Sequence, residues 1–426
     1  MASTYLTKVA PAAGNRTKGT ISMWVKRGSL GSTEYLYTEY LNSTDHGVVY
    51  FSGANGLNIK SVNGNSAEMQ LSTNRLFRDT NAWYHLVFAW DTSQGTAADR
   101  VKMYVNGVQE TSFSTATYPS QSSNLKFGIG SPSGNNYNIY IGRKGSASDY
   151  FTGSMSHFHR VDNQQLTPST FGSTDSTTGE WKINTSPSIT YTGSSSHNFF
   201  ILKDGNSVTD QSGEGNNLTV GGGTLTKTED CPSNIFATMN PVDSYWMSAT
   251  YTNGNNKVVT QGSHRTSMAA TLGASSGKFY YEVKFDAETS GAGLVVGIDT
   301  KGASSCSVFN GNYCDEYVGR RTYGYGYYSS DGVIYNGGSN TGSYTSFSTG
   351  TIICVAVDLD NNKLYFRRND NAWENSGDPT SGSTGTGAIS ITAASSTDTG
   401  FYFPALSDGS NSGTATFSTN FGNGYF

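Results

Sequence analysis

Residues 83–91 read WYHLVFAWD, and residues 101–108 read VKMYVNGV. In the first run Leu86, Phe88 and Trp90 alternate with His85, Val87 and Ala89. In the second, Met103 and Val105 point one way and Lys102 and Tyr104 the other. Asn106-Gly107 then supplies the residue pair that a two-residue hairpin turn demands, because both positions need positive φ. Period-two alternation closed by such a turn predicts antiparallel strands with one dry and one wet face. The pattern recurs. Ile21, Met23 and Val25 alternate with Ser22, Trp24 and Lys26. Phe279, Tyr281, Val283 and Phe285 oppose Lys278, Tyr280, Glu282 and Lys284. Ile353, Val355, Val357 and Leu359 lead into the turn Asp360-Asn361-Asn362 and a return strand at Leu364-Tyr365-Phe366. No helical period persists beyond two turns and no heptad appears, so the expected class is all-β.

The totals agree with many short strands joined by tight turns. Only 14% of the 426 residues are charged and 35% are hydrophobic, yet 13% are aromatic, with 27 Tyr and 21 Phe. A disordered chain lacks that aromatic content. Gly (51), Ser, Thr and Asn take the place of charge, as turn formers and strand-surface residues. The length fits two sandwiches of about 200 residues each. A boundary is expected near 220–245, where Gly221-Gly222-Gly223 precedes a segment without apolar pattern. This gives domains at 1–228 and 245–426 with a linker at 229–244. The stretch from Leu166 to Ser196 is expected to run over the surface, tacked down by Trp181 and Ile183.

A net charge of −5 without a Lys/Arg run argues against nucleic acid and anionic membrane as partners. Met1 to Ala13 carries no apolar core of a leader, and no run of 18 apolar residues spans a membrane. Cys354 lies in the strand-like run 351–357 and reads as a small core residue. Cys306 and Cys314 flank one loop and are candidates to bridge.

The hairpin at 83–91 and 101–108, with Tyr140-Ile-Gly-Arg143 and the strand from Phe151 to Val161, resembles laminin-G-like and pentraxin-like jelly rolls of the concanavalin A type over residues 1–225. Gly277 to Val283, Val296-Gly-Ile298, Tyr323 to Tyr328, Thr351 to Asp358, Lys363 to Phe366, Phe403-Pro-Ala-Leu406 and Phe417 to Gly422 are similar, in that order, to a SPRY domain. Gly350-Thr351 stands where that family has Gly-Asp. The tandem, with the link 230–241 and the motif 210–217, resembles structural and fibre proteins of marine tailed bacteriophages. That resemblance implies a protein on the surface of a virus particle, made in the host cytoplasm.

Candidate chemistry is sparse. Glycoside hydrolysis needs two carboxyls roughly 5–9.5 Å apart across a cleft. No strand carries that spacing; Glu282 and Asp286 share a face, but the first belongs to the SPRY motif and the second begins a loop. His85 reads as a half-buried strand histidine. His157 and His159 lie two apart on one strand face without an evident third metal ligand. Asp91 and Asp99 flank the loop 92–98 and are the candidate calcium ligands, against the plainer reading as turn formers. Exposed aromatics among small polar residues suit sugar rings, and Tyr323, Tyr325, Tyr327, Tyr335 and Trp373 are the candidate ligand platform, against a core-filling role for alternate tyrosines.

The expected function is a non-enzymatic virion structural protein: a tail fibre, knob or capsid decoration that exposes lectin-like domains to host-surface glycans or receptors. Other virion proteins of the capsid or tail are its expected partners, and a homo-oligomer is compatible. No cofactor is required, with calcium the one candidate. A purely architectural virion component is the alternative. A secreted cellular adhesin or glycan-active enzyme ranks third.

Overall fold

The computed structural model describes residues 3–130, 137–191, 196–203, 207–243, 249–262, 265–300, 317–410 and 412–422. Within these the regular structure is almost all strand, with one four-residue α-helix, Ala97–Arg100, and four three-residue 3-10 helices. None of the described helices is long and apolar enough to cross a membrane. Two compact units emerge: residues 1–227 with 231–234, and residues 228–230 with 235–426. Cys306 and Cys314 lie outside the described residues.

The first unit packs an eight-stranded sheet on a six-stranded one. The larger sheet runs, edge to edge, Phe113–Thr117, Ser66–Leu76, Gly56–Asn63, Asp45–Phe51, Glu34–Asn42, Asn138–Ile141, Tyr5–Val9 and Thr219–Gly222. The smaller runs Phe199–Ile201, Gly153–Asp162, Lys18–Arg27, Trp83–Asp91, Val101–Val105 and Val108–Glu110. The alternation read from sequence sets the core: Ile21, Met23, Val25, Leu86, Phe88, Trp90, Met103 and Val105 all lie in it. Asn106 and Gly107 turn with φ of 48° and 80°, so Val105 pairs with Val108.

The six-stranded sheet departs from the one-wet-face expectation. Trp24, His85 and Val87 sit on its far side and are nonetheless buried. The segment after residue 165 folds over them and forms the hairpin Gly172–Thr174 with Trp181–Ile183. Trp181 Nε1 donates to His85 Nδ1 at 3.0 Å, and Trp24 stacks on the same imidazole at 4.9 Å. His157 does not share regular strand geometry with His159. It sits at a bulge with φ of 47°, where the register shifts between Ser156 and His159. Gly221 and Gly222 lie in the edge strand beside Tyr5–Val9, within the first unit. Asp210 of the motif 210–217 accepts from the backbone N–H groups of Phe200, Ser212 and Asn216 at 2.8–2.9 Å, which fixes that loop.

The second unit packs a seven-stranded sheet on a six-stranded one. Tyr281, Val283, Phe285, Ile353, Val355, Val357, Leu359, Leu364 and Phe366 fill the space between, as their alternation requires. Phe279 is the exception. It continues the apolar face of Lys278–Glu288 but is 48% exposed, where it lines a cavity. Cys354 is buried with a free thiol.

Candidate functional site

The expected aromatic platform does not assemble. Tyr325 and Tyr327 lie in the core of the second unit, so their rings face no ligand. The strand Tyr325–Tyr328 is central in its sheet, and alternation turns these two inward. The Tyr327 hydroxyl is spent on the Thr345 carbonyl, and the Tyr325 hydroxyl accepts from the Thr392 N–H at 3.0 Å. Tyr323 packs, half-buried, against the same core. Tyr335 packs edge-on to Tyr317 and donates to Asp331 at 3.0 Å; burial and that carboxylate push its hydroxyl up to about 12. Trp373 stands apart, beside Tyr365 and under the Arg367 guanidinium.

The calcium candidates are each held by a lysine. Asp91 accepts from the Ser93 N–H, Ser93 Oγ and Gln94 Nε2, and pairs with Lys18 at 2.9 Å. Burial alone would raise its pKa, but these partners outweigh it and hold the carboxyl at about 2. Asp99 pairs with Lys102 at 3.0 Å. Among the described residues no group of three or more His, Cys, Asp or Glu is gathered.

A different surface collects aromatic side chains: the outer face of the eight-stranded sheet. Leu6, Ile139, Ile141, Val49, Ile59 and Leu71 face the core. Their neighbours must therefore face out. Register aligns them in rows. Thr7, Tyr140, Thr38, Val48, Lys60 and Gln70 lie opposite one another across six strands. Tyr35, Tyr50, Asn58 and Ser72 form a second row, and Asn138, Tyr40 and His46 a third. Tyr35 and Tyr50 stack at 4.9 Å, and Tyr5 contacts Tyr140 and Tyr150 at 6.1 Å each. Tyr5, Tyr40, Tyr50, Tyr140 and Tyr150 are all half-buried, each keeping part of its ring in solvent. Burial pushes the Tyr35 hydroxyl up to about 12, helped by Tyr50 and Asp149.

The face carries cations. Arg143, just past the strand Asn138–Ile141, places its guanidinium carbon 4.1 Å from the centre of the Tyr5 ring and 4.0 Å from that of Tyr140. Lys144 lies 5.6 Å over Tyr35, with Asp149 at 3.8 Å. Burial lowers the pKa of His46, and Lys60 and Lys144 lower it further, against a partial rise from Asn42 and Asp45. Glycine allows the packing. A Cβ at Gly221 would fall 2.3 Å from Tyr5, and one at Gly145 would fall 2.1 Å from Tyr40.

A second concavity lies at one end of the second unit's sandwich. It encloses about 260 Å³ among mainly apolar side chains, including Phe279, Tyr281, Ile298, Tyr402, Phe403 and Phe421. It offers few polar groups to read a sugar, whereas the tyrosine face offers Asn, Thr, Lys and Arg beside its rings. Composition masked the tyrosine face, because tyrosine is spread along the whole sequence. The usable signal was local: Tyr5 beside Leu6, and Tyr140 between Ile139 and Ile141.

Residues 3–171 match the concanavalin A-like lectin/glucanases superfamily, and residues 278–417 match the SPRY domain. No curated protein matches the chain. Among solved structures, the SPRY domain of human HERC1 is 17% identical, with 42% of this chain and 96% of that one covered at a TM-score of 0.32. Stonustoxin is 18% identical over 43% of this chain and 27% of its own, at 0.30. The heptameric SAP-like pentraxin from Limulus polyphemus is 18% identical over 38% and 71%, at 0.27. Lectin-like and SPRY domains suggest a role in binding. The chain thus carries a concanavalin A-like lectin/glucanase domain followed in tandem by a SPRY domain.

Proposed function

We propose that this protein is a non-enzymatic display protein of a virus particle (a tail fibre, knob or capsid decoration) and that its first domain holds glycans on the tyrosine face. The observation that carries the binding site is the set of rows on the outer face of the eight-stranded sheet. Half-exposed rings of Tyr5, Tyr50, Tyr140 and Tyr150 offer flat apolar surfaces to sugar rings. Asn138, Thr7, Lys60 and Gln70 lie beside them as hydroxyl readers. The virion placement rests on the resemblance of the tandem to phage structural and fibre proteins. Each site would be weak and would gain avidity from many copies. The engagement of Glu282 by Tyr280 and Asn420, and of Asp286 by Ser418 and Lys257, supports the non-enzymatic part.

The architectural alternative has its own support: the apolar cavity rimmed by exposed Phe279 and Tyr280 would suit packing against another virion subunit. A multivalent glycan array, run with and without calcium, separates the two readings. Hits that vanish in Tyr140→Ala and persist in Phe279→Ser match the glycan reading. An array silent in both calcium conditions overturns it.

A further inference from the structure

Arg143 is 8% exposed, and its Nε is buried without a hydrogen-bond acceptor. No ion pair joins it to a carboxylate among the described residues. The other deeply buried arginines are compensated: Arg27 by Glu34 at 3.2 Å and Arg160 by Glu39 at 3.1 Å. Arg143 has only the rings of Tyr5 and Tyr140. Ring quadrupoles attract a cation but accept no N–H in the plane of the guanidinium. Nε is the buried, unpartnered atom; the Nη groups are not buried, and they are the part of the guanidinium that an arriving group can reach. An acceptor of negative charge arriving at that Nη edge would supply the counter-charge that the described residues do not.

The geometry points to Arg143 as the receptor for the acidic group of an acidic glycan, either a uronate carboxylate or a sulfate ester. This rests on the glycan reading of the tyrosine face and names its ligand class. The Tyr5 and Tyr140 ring centres stand 6.1 Å apart, so the rings flank the guanidinium on adjacent sides and leave its remaining edge for hydrogen bonding, and that edge matches the two oxygens of an oxyanion. Tyr150, 6.1 Å from the Tyr5 ring that flanks Arg143, offers a ring to the sugar that bears the group. Lys60 and Lys144 add positive potential to the same face, although the chain as a whole carries −5. The site also explains the paired glycines: side chains at Gly221 and Gly222 would push the Tyr5 ring from its place against Arg143.

The test is a set of titrations of the full chain at fixed salt. Oligogalacturonate is compared with its methyl ester, and dextran sulfate oligomers with dextran. The acidic member of at least one pair is expected to bind roughly tenfold or more tighter. Which pair discriminates tells carboxylate from sulfate. Arg143→Met should abolish the preference. Arg143→Lys, which keeps charge without the planar fork, should weaken it several-fold, and removal of the exposed Arg78 by Arg78→Gln should leave it intact. If Arg143→Met does not fold, the wild-type pairs and Arg143→Lys still decide. Equal binding of acidic and neutral members overturns this inference while the glycan face survives. So does an acid preference that persists in Arg143→Met, or that falls equally in Arg78→Gln. Failure of every sugar to bind overturns both.

Discussion

Glu39 is fully buried and accepts from three donors, Arg160 Nε at 3.1 Å, the Tyr37 hydroxyl at 2.8 Å and the Gly128 N–H at 2.6 Å, with His197 Nε2 at 3.3 Å. Burial would raise its pKa, but Arg160 and His197 outweigh that and hold it at about 2. Removing one member of such a pair leaves its partner's charge uncompensated, at a cost of about 3–5 kcal/mol. Glu39→Gln should lose stability on that scale in urea unfolding; a loss below about 1 kcal/mol would refute the network's role. His85 works the other way. Its Nδ1 accepts from Trp181, so the neutral ring donates from Nε2 to Ser22 at 2.9 Å. Burial, aided by His157, lowers its pKa to about 3 from 6.5. The unfolded state therefore takes up a proton below pH 6.5 that the folded state refuses. Stability should be full above pH 6.5 and fall progressively toward pH 3, with Glu39 adding its own loss below pH 4.5. Denaturant midpoints that stay flat from pH 7 to 4.5 would contradict this. The sequence marks His85 as a strand histidine, but its partner Trp181 lies 96 residues away and is set by the fold.

At the scale of elements, strands and hairpins were legible because period two leaves little freedom: a one-residue slip would expose a whole core face. The Asn106-Gly107 turn and the turn before Leu364 follow the same local chemistry. Coverage was less legible. The segment after residue 165 buries the far side of the six-stranded sheet through a few contacts such as Trp181, too few to leave a pattern. Phe279 and Phe285 are alike in sequence and differ in place: 48% against 1% exposed. Phe285→Ala should cost about 3–5 kcal/mol, and Phe279→Ser well under that, in parallel denaturation curves. Equal losses would mean that the mouth of the sandwich is closed. The glycine triplet at 221–223 lies in the first unit, and two of its members serve an edge strand packed on Tyr5. Gly221→Val should weaken glycan binding at least fivefold while leaving the unfolding midpoint nearly unchanged, since it perturbs one ring at a sheet edge.

At the scale of the whole molecule, the described residues form two principal hydrophobic cores, one within each unit. Each has enough strands and buried aromatics to unfold as its own cooperative transition. Scanning calorimetry should accordingly resolve two transitions, and a single one with equal calorimetric and van't Hoff enthalpies would argue against independent cores. At this scale the sequence is informative about architecture, because the ordered motifs at 83–161 and 277–422 each trace one sandwich. It is weaker on the site. The rings of the proposed face come from strands spread between Tyr5 and Tyr150, and only the sheet order brings them together. The aromatic run at 323–328 was more conspicuous precisely because it is contiguous, and contiguity in a central strand sends alternate rings into the core.

The most direct test is a crystal structure of the full chain with the tightest array ligand. The account predicts a sugar ring against Tyr140 and Tyr5, with its acidic group at the Arg143 edge. A ligand seated instead in the cavity beside Phe279, or on the loops of the SPRY domain with the tyrosine face empty, would contradict it.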